Sequence, residues 1–458
     1  MSDENADRPQ DDISLDSARI AAIREALDSG DVAGLDGLLE PLHAADIADL
    51  FEQISSSERR SLVALWGREI DGDILSELDD SIREEVIEAL PHEVLAEAVR
   101  ELDSDDVVDI LEDLEEPAQE RILEALDGAD RVAVEQSMAY PEYSAGRLMQ
   151  REVVTAPEHW TVGEAIDFLR AEEWLPDQFY HVILVDPRMK PLAHVTLGRL
   201  LSSRRATPLR EITEEIFRTV RATDPEADIA YLFNQYHLIS TPVVDDTGRL
   251  VGVITIDDAM NVLDEEHEED ILRLAGVSEE SSVSDGALAT ARQRLPWLIV
   301  NLFTASLSAV VITQFEATIA QLVALAALMP IVASTGGIAG TQSLAVAVRA
   351  LATRDLTSAN ARRVVWRELG AGIVNGFGLA AILGVAGWAI FGDPMLGAVL
   401  GMAMICNQIV AALGGVLVPL TMNRLGMDPA LASGTFVTTL TDVMGFFAFL
   451  GFATIFLL

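Results

Sequence analysis

Asp442 is the residue with the clearest chemistry. It lies in Thr438-Thr-Leu-Thr-Asp-Val-Met-Gly-Phe-Phe, inside a long apolar run. A charged Asp at the centre of a membrane helix is unfavourable by about 2.5–3.5 kcal/mol on insertion scales. No basic residue lies deep in any apolar run of this chain, so the natural counter-charge is a cation in a watery cavity. The alternative is an Asp held protonated or hydrogen-bonded to Thr438 or Thr439. Hydroxyls, carbonyls and a carboxylate form an all-oxygen environment, which suits a hard cation. Mg²⁺ keeps most of its waters and is commonly held by one or two carboxylates. No Cys/His cluster exists to favour zinc or copper.

Two other stretches carry chemical meaning. Residues 264–270 read Asp-Glu-Glu-His-Glu-Glu-Asp, six carboxylates in seven positions. Like charges at i,i+4 destabilise an isolated helix, so divalent cations bridging this segment to another acidic surface would pin it. The competing reading is a solvated acidic connector, with His267 a bystander. Residues 330–355 include Pro330, Ser334, Thr335, Gly336, Gly337, Gly340, Thr341, Gln342 and Ser343 within an otherwise apolar region. Glycine is worse than alanine in a helix interior by roughly 1 kcal/mol, and freed backbone is tolerated in a membrane only beside protein or a water-filled cavity. These residues therefore mark either a pore lining or a tight helix interface.

Five apolar segments long enough to cross a bilayer hold these residues: about 295–315, 319–348, 365–391, 396–420 and 432–458. From Leu295 onward, six basic residues (Arg349, Arg354, Arg362, Arg363, Arg367, Arg424) balance six acidic ones (Glu316, Asp355, Glu368, Asp393, Asp428, Asp442). The net charge of −43 thus resides in residues 1–294. The arginines gather in and beside the 2–3 and 4–5 connections, so the positive-inside rule puts those loops and the N-terminal half in the cytoplasm and the C-terminus outside. Strong acidity argues against a nucleic-acid partner, whose phosphates need Lys and Arg. It suits cation binding or a salt-adapted composition; Lys190 is the only lysine. The single Cys406 excludes an intrachain disulfide. No Gly-rich phosphate loop with a following lysine is present, so an ATP-driven pump is set aside; the chain is also expected not to be an enzyme.

Residues 1–17 are polar and read as a disordered lead without a signal-peptide pattern. Residues 18–145 read as helical hairpins: Ile47, Leu50, Phe51 and Ile54, and Val107, Ile110, Leu111 and Leu114, recur at helical spacing. A weak echo at an offset of 60 relates Asp46-Ile-Ala-Asp-Leu-Phe-Glu to Asp106-Val-Val-Asp-Ile-Leu-Glu, as stacked repeats would produce. The acidic residues here read as a solvated face. From Leu148 two successive units each read strand, helix, strand, turn, strand, helix, with Asp186-Pro-Arg-Met-Lys and Asp245-Asp-Thr-Gly as the hairpin turns. Over 146–264 these resemble a tandem pair of CBS domains, most clearly through Pro242-Val-Val-Asp, Gly248-Arg-Leu-Val-Gly and Ile254-Thr-Ile-Asp-Asp. That resemblance implies adenine-nucleotide binding, ATP included, through a Gly-x-x-Thr-x-x-Asp element, here Gly252, Thr255 and Asp258. The first unit has Thr196 but Arg199 at the aspartate position.

The whole order resembles the MgtE magnesium channels and transporters. The carriers are Pro330-x-x-x-Ser-Thr-Gly-Gly-x-x-Gly-x-Gln342, Arg349-Ala-Leu-Ala-Thr-Arg-Asp355, Asp428-Pro-Ala and Thr441-Asp-Val-Met-Gly445. The implied architecture is multidomain: a superhelical all-α N-domain, an α/β tandem CBS pair (146–264), an acidic connecting helix (265–292) and an all-α five-helix transmembrane domain (293–458). The resemblance implies a homodimer in the lipid bilayer of the inner or plasma membrane, with the ion path on its twofold axis. Asp442 would be the central selectivity carboxylate and Glu316 an acid near the mouth. Pro330, Gly336, Gly337, Gly340, Gln342, Thr438 and Thr441 would line the path. Asp257, Asp258, Asp264, Glu266, Glu269 and Asp270 would be the regulatory sensor that closes the path when cytosolic Mg²⁺ is plentiful. The chain departs from the family pattern at Ile338, Gly434 and Asn261, where relatives carry Asn, Asn and an acid. The expected function is a Mg²⁺-selective uptake channel, with Co²⁺ and Mn²⁺ as further candidate ions. Two alternatives stay open: a secondary transporter exchanging divalent cations for H⁺ or Na⁺, and a membrane-anchored CBS module that senses nucleotide.

Overall fold

The computed structural model describes residues 15–458 apart from 113, 173, 177, 279–280, 282–285 and 358. Most of the expected N-terminal lead lies outside the described residues. The chain forms two compact units, Met1–Asp264 and Glu265–Leu458.

The first unit opens with short α-helices running from Ser17–Ser29 to Gly128–Met138. Their starts are set by side-chain caps. Ser55 and Glu58 form a reciprocal capping box on Ser56–Trp66, as do His43 and Asp46 on Ala44–Gln53. Ile47, Leu50, Phe51 and Ile54 are all buried, as are Val107, Ile110, Leu111 and Leu114, within one continuous apolar core. The 60-residue echo is structural: Ala44–Gln53 and Ser104–Glu112 start 60 residues apart, and so do Ser56–Trp66 and Glu116–Ala125.

Two small sheets follow. In the first, β1 (Thr155–Pro157) pairs parallel with β2 (His181–Val185), which pairs antiparallel with β3 (Pro191–Thr196). The second repeats this with β4 (Val220–Arg221), β5 (Ser240–Val244) and β6 (Leu250–Thr255). Each hairpin turn is tied by one aspartate. Asp186 accepts from the backbone N–H of Arg188 and Lys190, and Asp245 from those of Thr247 and Arg249. These bonds to the charged form hold both carboxyls below the usual range. Helices Val162–Ala171 and Glu226–Tyr236 complete the repeat.

Among the described residues, the second unit contains five helices long and apolar enough to cross a membrane: Ala287–Gln314, Ala324–Ala352, Ala361–Phe391, Pro394–Arg424 and, within Pro429–Phe456, Gly434–Phe456. The fourth is the hub, with 61% of its apolar window buried against 6% for the first. It packs against the second, third and fifth.

Two expected boundaries are corrected. The acidic helix does not run from 265 to 292. It begins at Ile256, directly after β6, and ends at Leu274. There Gly276 takes a left-handed φ of 72°, while Gly276 N–H donates to Arg273 and Val277 N–H to Leu272, a Schellman stop. Residues from Ala287 onward already belong to the first apolar helix. The second apolar helix begins at Ala324 rather than near Ile319. The intervening Glu316–Gln321 is a separate short helix, set off by non-helical backbone at Phe315 and Leu322.

Candidate functional site

Asp442 lies midway along the fifth helix and is partly exposed. Among the described residues no basic side chain pairs with it. The nearby hydroxyls do not serve it either. Thr438 donates to the Gly434 and Thr435 carbonyls, Thr439 to Thr435, and Thr441 to Thr438. The threonines satisfy their own helix, and the carboxylate is left for something else.

The glycines of the second helix answer the choice between packing and lining unevenly. Gly336 and Gly340 are buried; a Cβ on Gly336 would overlap the Asn407 side chain, and one on Gly340 would lie 2.6 Å from Val437 Cγ1. These two are packing positions. Gly337 has more room, with Thr438 and Thr441 at the edge of van der Waals contact. Pro330, Ile338, Thr341 and Gln342 are exposed. Glu316 is exposed at the start of its short helix. That helix is tied to the fifth through Thr318 and Thr454, whose hydroxyls lie 2.9 Å apart. Thr454 is twelve residues, about 18 Å, along the helix from Asp442, so Glu316 and Asp442 are not brought together.

Hydropathy reasoning overlooked Asn407 and Gln408, which are 0% and 2% exposed in the middle of the fourth helix. Their amides donate to second-helix carbonyls, Asn407 Nδ2 to Val332 at 2.8 Å and Gln408 Nε2 to Thr335 at 3.4 Å. The signal was present as adjacent amides in an otherwise apolar run.

The N-domain acids are not a solvated face throughout, which corrects the expectation. Helix Ser104–Glu112 docks on the segment entering the first sheet. Ser104 Oγ donates to Glu152 at 2.8 Å and accepts from Arg151 N–H at 2.8 Å. Gln150 Nε2 donates to Asp103 at 2.6 Å, and Arg147 pairs with Glu112 at 2.6 Å. This docking brings Asp103, Asp105, Asp106 and Asp109 beside Asp257 and Asp258. Burial first, then the neighbouring Asp258, Asp106 and Asp103, pushes the Asp105 carboxyl well above the usual range. Asp106 is pushed up to about 7 by burial and then by Asp258 and Asp103. Asp258 is also pushed up to about 7, by burial and then Asp257, against the opposing hydrogen bond from Thr255. Among the described residues, no group of three or more acidic, His or Cys side chains is drawn together as a ready metal shell. The junction is a set of carboxylates short of positive charge.

The acidic helix forms a second cluster around the start of the fifth apolar helix. Arg273 pairs with Glu269 at 2.8 Å and with Asp428 at 2.9 Å. Asp428 also caps the fifth helix by accepting from Ala430 N–H at 2.7 Å. Desolvation and then Asp428 raise Asp270, while desolvation and then Asp270 raise Glu266. Asp264, at the other end of the acidic run, is exposed.

The Gly252, Thr255 and Asp258 element is engaged in local structure. Thr255 Oγ1 donates to Asp258 at 2.6 Å across the first turn of the helix, and Gly252 is packed against Met149 and the Gln150 carbonyl. A narrow cleft lies beside it, lined by Gln150, Glu152, Tyr180, His181, Ser240 and Thr255 among others. His181 Nδ1 and Ser240 Oγ lie 2.5 Å apart there. Burial and the adjacent His194 lower His181 to about 4, so its ring is neutral near pH 7.

Residues 329–452 match the MgtE family of divalent cation transporters, 42–143 the MgtE intracellular N domain and 209–265 the CBS domain. The Magnesium transporter MgtE of Thermus thermophilus is 34% identical over 442 residues, covering 95% of this chain and 98% of the relative. The chain belongs to the MgtE family. A second MgtE relative, the magnesium transporter of Enterococcus faecalis, is 35% identical over 326 residues, 71% of each chain. The crystal structure of the cytosolic domain of the Mg²⁺ channel MgtE in complex with ATP is 32% identical. It covers 53% of this chain and 99% of that one, with a TM-score of 0.49. The CBS match falls on the second unit, the one that carries the complete Gly-x-x-Thr-x-x-Asp element. MgtE membership accounts for the order of helical domain, CBS units and five apolar helices.

Proposed function

We propose that this chain is a Mg²⁺ uptake channel of the inner or plasma membrane, acting as a homodimer and closed by cytosolic Mg²⁺. The observation that carries the reading is Asp442, a carboxylate in the fifth helix without a basic partner among the described residues. Two copies meeting across a twofold axis would hold a hydrated divalent cation between two such carboxylates, in the mode Mg²⁺ prefers. Co²⁺ and Mn²⁺ fit the same oxygen chemistry. The orientation follows the arginine bias, with the N-terminus inside and the C-terminus outside. Regulation rests on the junction of Asp105, Asp106, Asp257 and Asp258 and on the cluster of Glu266, Glu269, Asp270 and Asp428. Without a cation these carboxylates repel; bridging ions hold them together and fix the acidic helix. An adenine nucleotide is a second proposed ligand, at the cleft lined by Thr255 and His181.

Flux from reconstituted vesicles tests the channel reading. Mg²⁺ uptake should follow its own electrochemical gradient with no H⁺ or Na⁺ gradient imposed. Saturable uptake that appears only with a counter-gradient would replace the channel by an exchanger.

Arg273 supplies a separate prediction, because it neutralises Glu269 and Asp428 when no cation does. Arg273→Ala should make the cytosolic Mg²⁺ midpoint for closure shift by about two- to fivefold, as expected for losing partly exposed ion pairs. Basal flux at zero cytosolic Mg²⁺ should rise. An unchanged midpoint and unchanged basal flux would show that Arg273 does not couple the acidic helix to the fifth helix.

A further inference from the structure

We propose that Asn407 sets the spacing of the second and fifth helices at the level of Asp442, and with it the ion preference of the path. The inference rests on the reading above that these two helices line the path. Asn407 is fully buried in the fourth helix, behind both of them. On one side Nδ2 donates to the Val332 carbonyl at 2.8 Å, and a Cβ on Gly336 would overlap the amide. On the other side a Cβ on Gly445 would lie 2.8 Å from Nδ2. Gly445 is three residues beyond Asp442, one turn along the same face. One side chain is therefore wedged between a glycine of each helix, within a turn of the carboxylate.

Packing alone does not account for an amide here. Asn407 Oδ1 is buried and has no hydrogen-bond partner among the described residues. A buried acceptor left unpaired is destabilising, and leucine of similar size would fill the space without one. What the amide adds is the bond to Val332, joined one residue on by Gln408 to Thr335. Together these bonds fix the depth and rotation of the second helix at its glycine-rich segment, which packing between smooth apolar surfaces does not do. Asn407 is a positioning residue that acts on the path through Val332 and Gly445.

The test measures Mg²⁺ and Ca²⁺ flux in vesicles reconstituted with full-length wild type, Asn407→Leu, the double variant Asn407→Ala/Gly336→Ala, and Asp442→Ala. Thermal unfolding in detergent is followed in parallel. Asn407→Leu is expected to lower the Mg²⁺-to-Ca²⁺ flux ratio about tenfold, the scale of one hydrogen bond. In the double variant the new Cβ occupies space vacated by the amide. Stability is then expected to return to the wild-type level while the flux ratio stays low. If the double variant restores the ratio as well, or Asn407→Leu folds and keeps it, Asn407 only fills space and the inference fails. Should Asn407→Leu fail to fold, the double variant alone decides. Flux unaffected by Asp442→Ala is a different result, and it overturns the path itself along with this inference.

Discussion

Asp442→Ala is expected to reduce Mg²⁺ flux by about a hundredfold or more while leaving the protein as stable as before. The size follows from the membrane. A carboxylate at the centre of a spanning helix is unfavourable by about 2.5–3.5 kcal/mol, and an ion that it stabilises by a comparable amount loses roughly two decades of occupancy without it. Alanine removes an unfavourable group, so membrane insertion and thermal stability should be unchanged or improved. Loss of flux could not then be blamed on unfolding. Asp442→Asn separates charge from shape: it keeps the volume and can still accept a hydrogen bond, but it offers no net charge to a divalent ion. It is expected to be nearly as impaired as alanine. Thr438, Thr439 and Thr441 will not compensate, since their hydroxyls, which donate to carbonyls of their own helix, offer a cation only neutral oxygens and no replacement charge. Flux within twofold of wild type in Asp442→Asn would remove the central carboxylate from the mechanism.

The second large effect is a pH dependence that Mg²⁺ erases. Asp106 and Asp258 keep their protons up to about pH 7 in the folded chain, but release them near 3.9 when unfolded. Across that window the folded state binds more protons, so stability falls as pH rises. Their contribution is fully favourable below about pH 4 and is lost on passing pH 7. Asp105 moves in the same direction. A divalent cation does at pH 8 what protons do at pH 5, which is to remove charge from the junction. In chelator, thermal unfolding of the full chain should therefore start several degrees lower at pH 8 than at pH 5.5, at about 2–4 °C per kcal/mol for a unit of this size. Mg²⁺ should restore most of that difference at pH 8 and add little at pH 5.5. The double variant Asp106→Asn/Asp258→Asn should flatten both responses. Equal Mg²⁺ stabilisation at the two pH values would mean that the ion binds elsewhere.

Much of the architecture was legible because it is written in long patterns. Five apolar runs, the doubled turn aspartates Asp186 and Asp245, and helical spacing at Ile47, Leu50, Phe51 and Ile54 each depend on many residues agreeing. What escaped depends on which distant element covers a residue. Asp105 and Asp106 sit on an acidic stripe that looks solvated until Arg147–Glu152 and the start of the acidic helix close over it. Asn407 and Gln408 vanish in any average taken over a 31-residue helix, because two amides scarcely move the mean. The end of the acidic helix is a different kind of miss. Gly276 is a stop signal, but the expected helix runs through it to residue 292. Asp442 could be picked out as a carboxylate without a partner. The glycines could not be divided into packing and lining positions without knowing what faced them.

Asp428 has an additional consequence. It caps the helix that carries Asp442, followed by Pro429 in the first turn, and it also holds Arg273 of the acidic helix. A cap contributes about 0.5–2 kcal/mol to its helix, and here Oδ1 of Asp428 serves the cap while Oδ2 holds Arg273. A cation that drew Asp428 away would leave the first N–H groups of the fifth helix unmet, and the winding of that turn would become an equilibrium close to balance. The message reaching Asp442, fourteen residues and about 21 Å along the axis, would then be a change in how much of the helix is wound. Gating of this kind would carry the thermal signature of a melting turn, with a temperature dependence steeper than that of ion movement through a fixed opening.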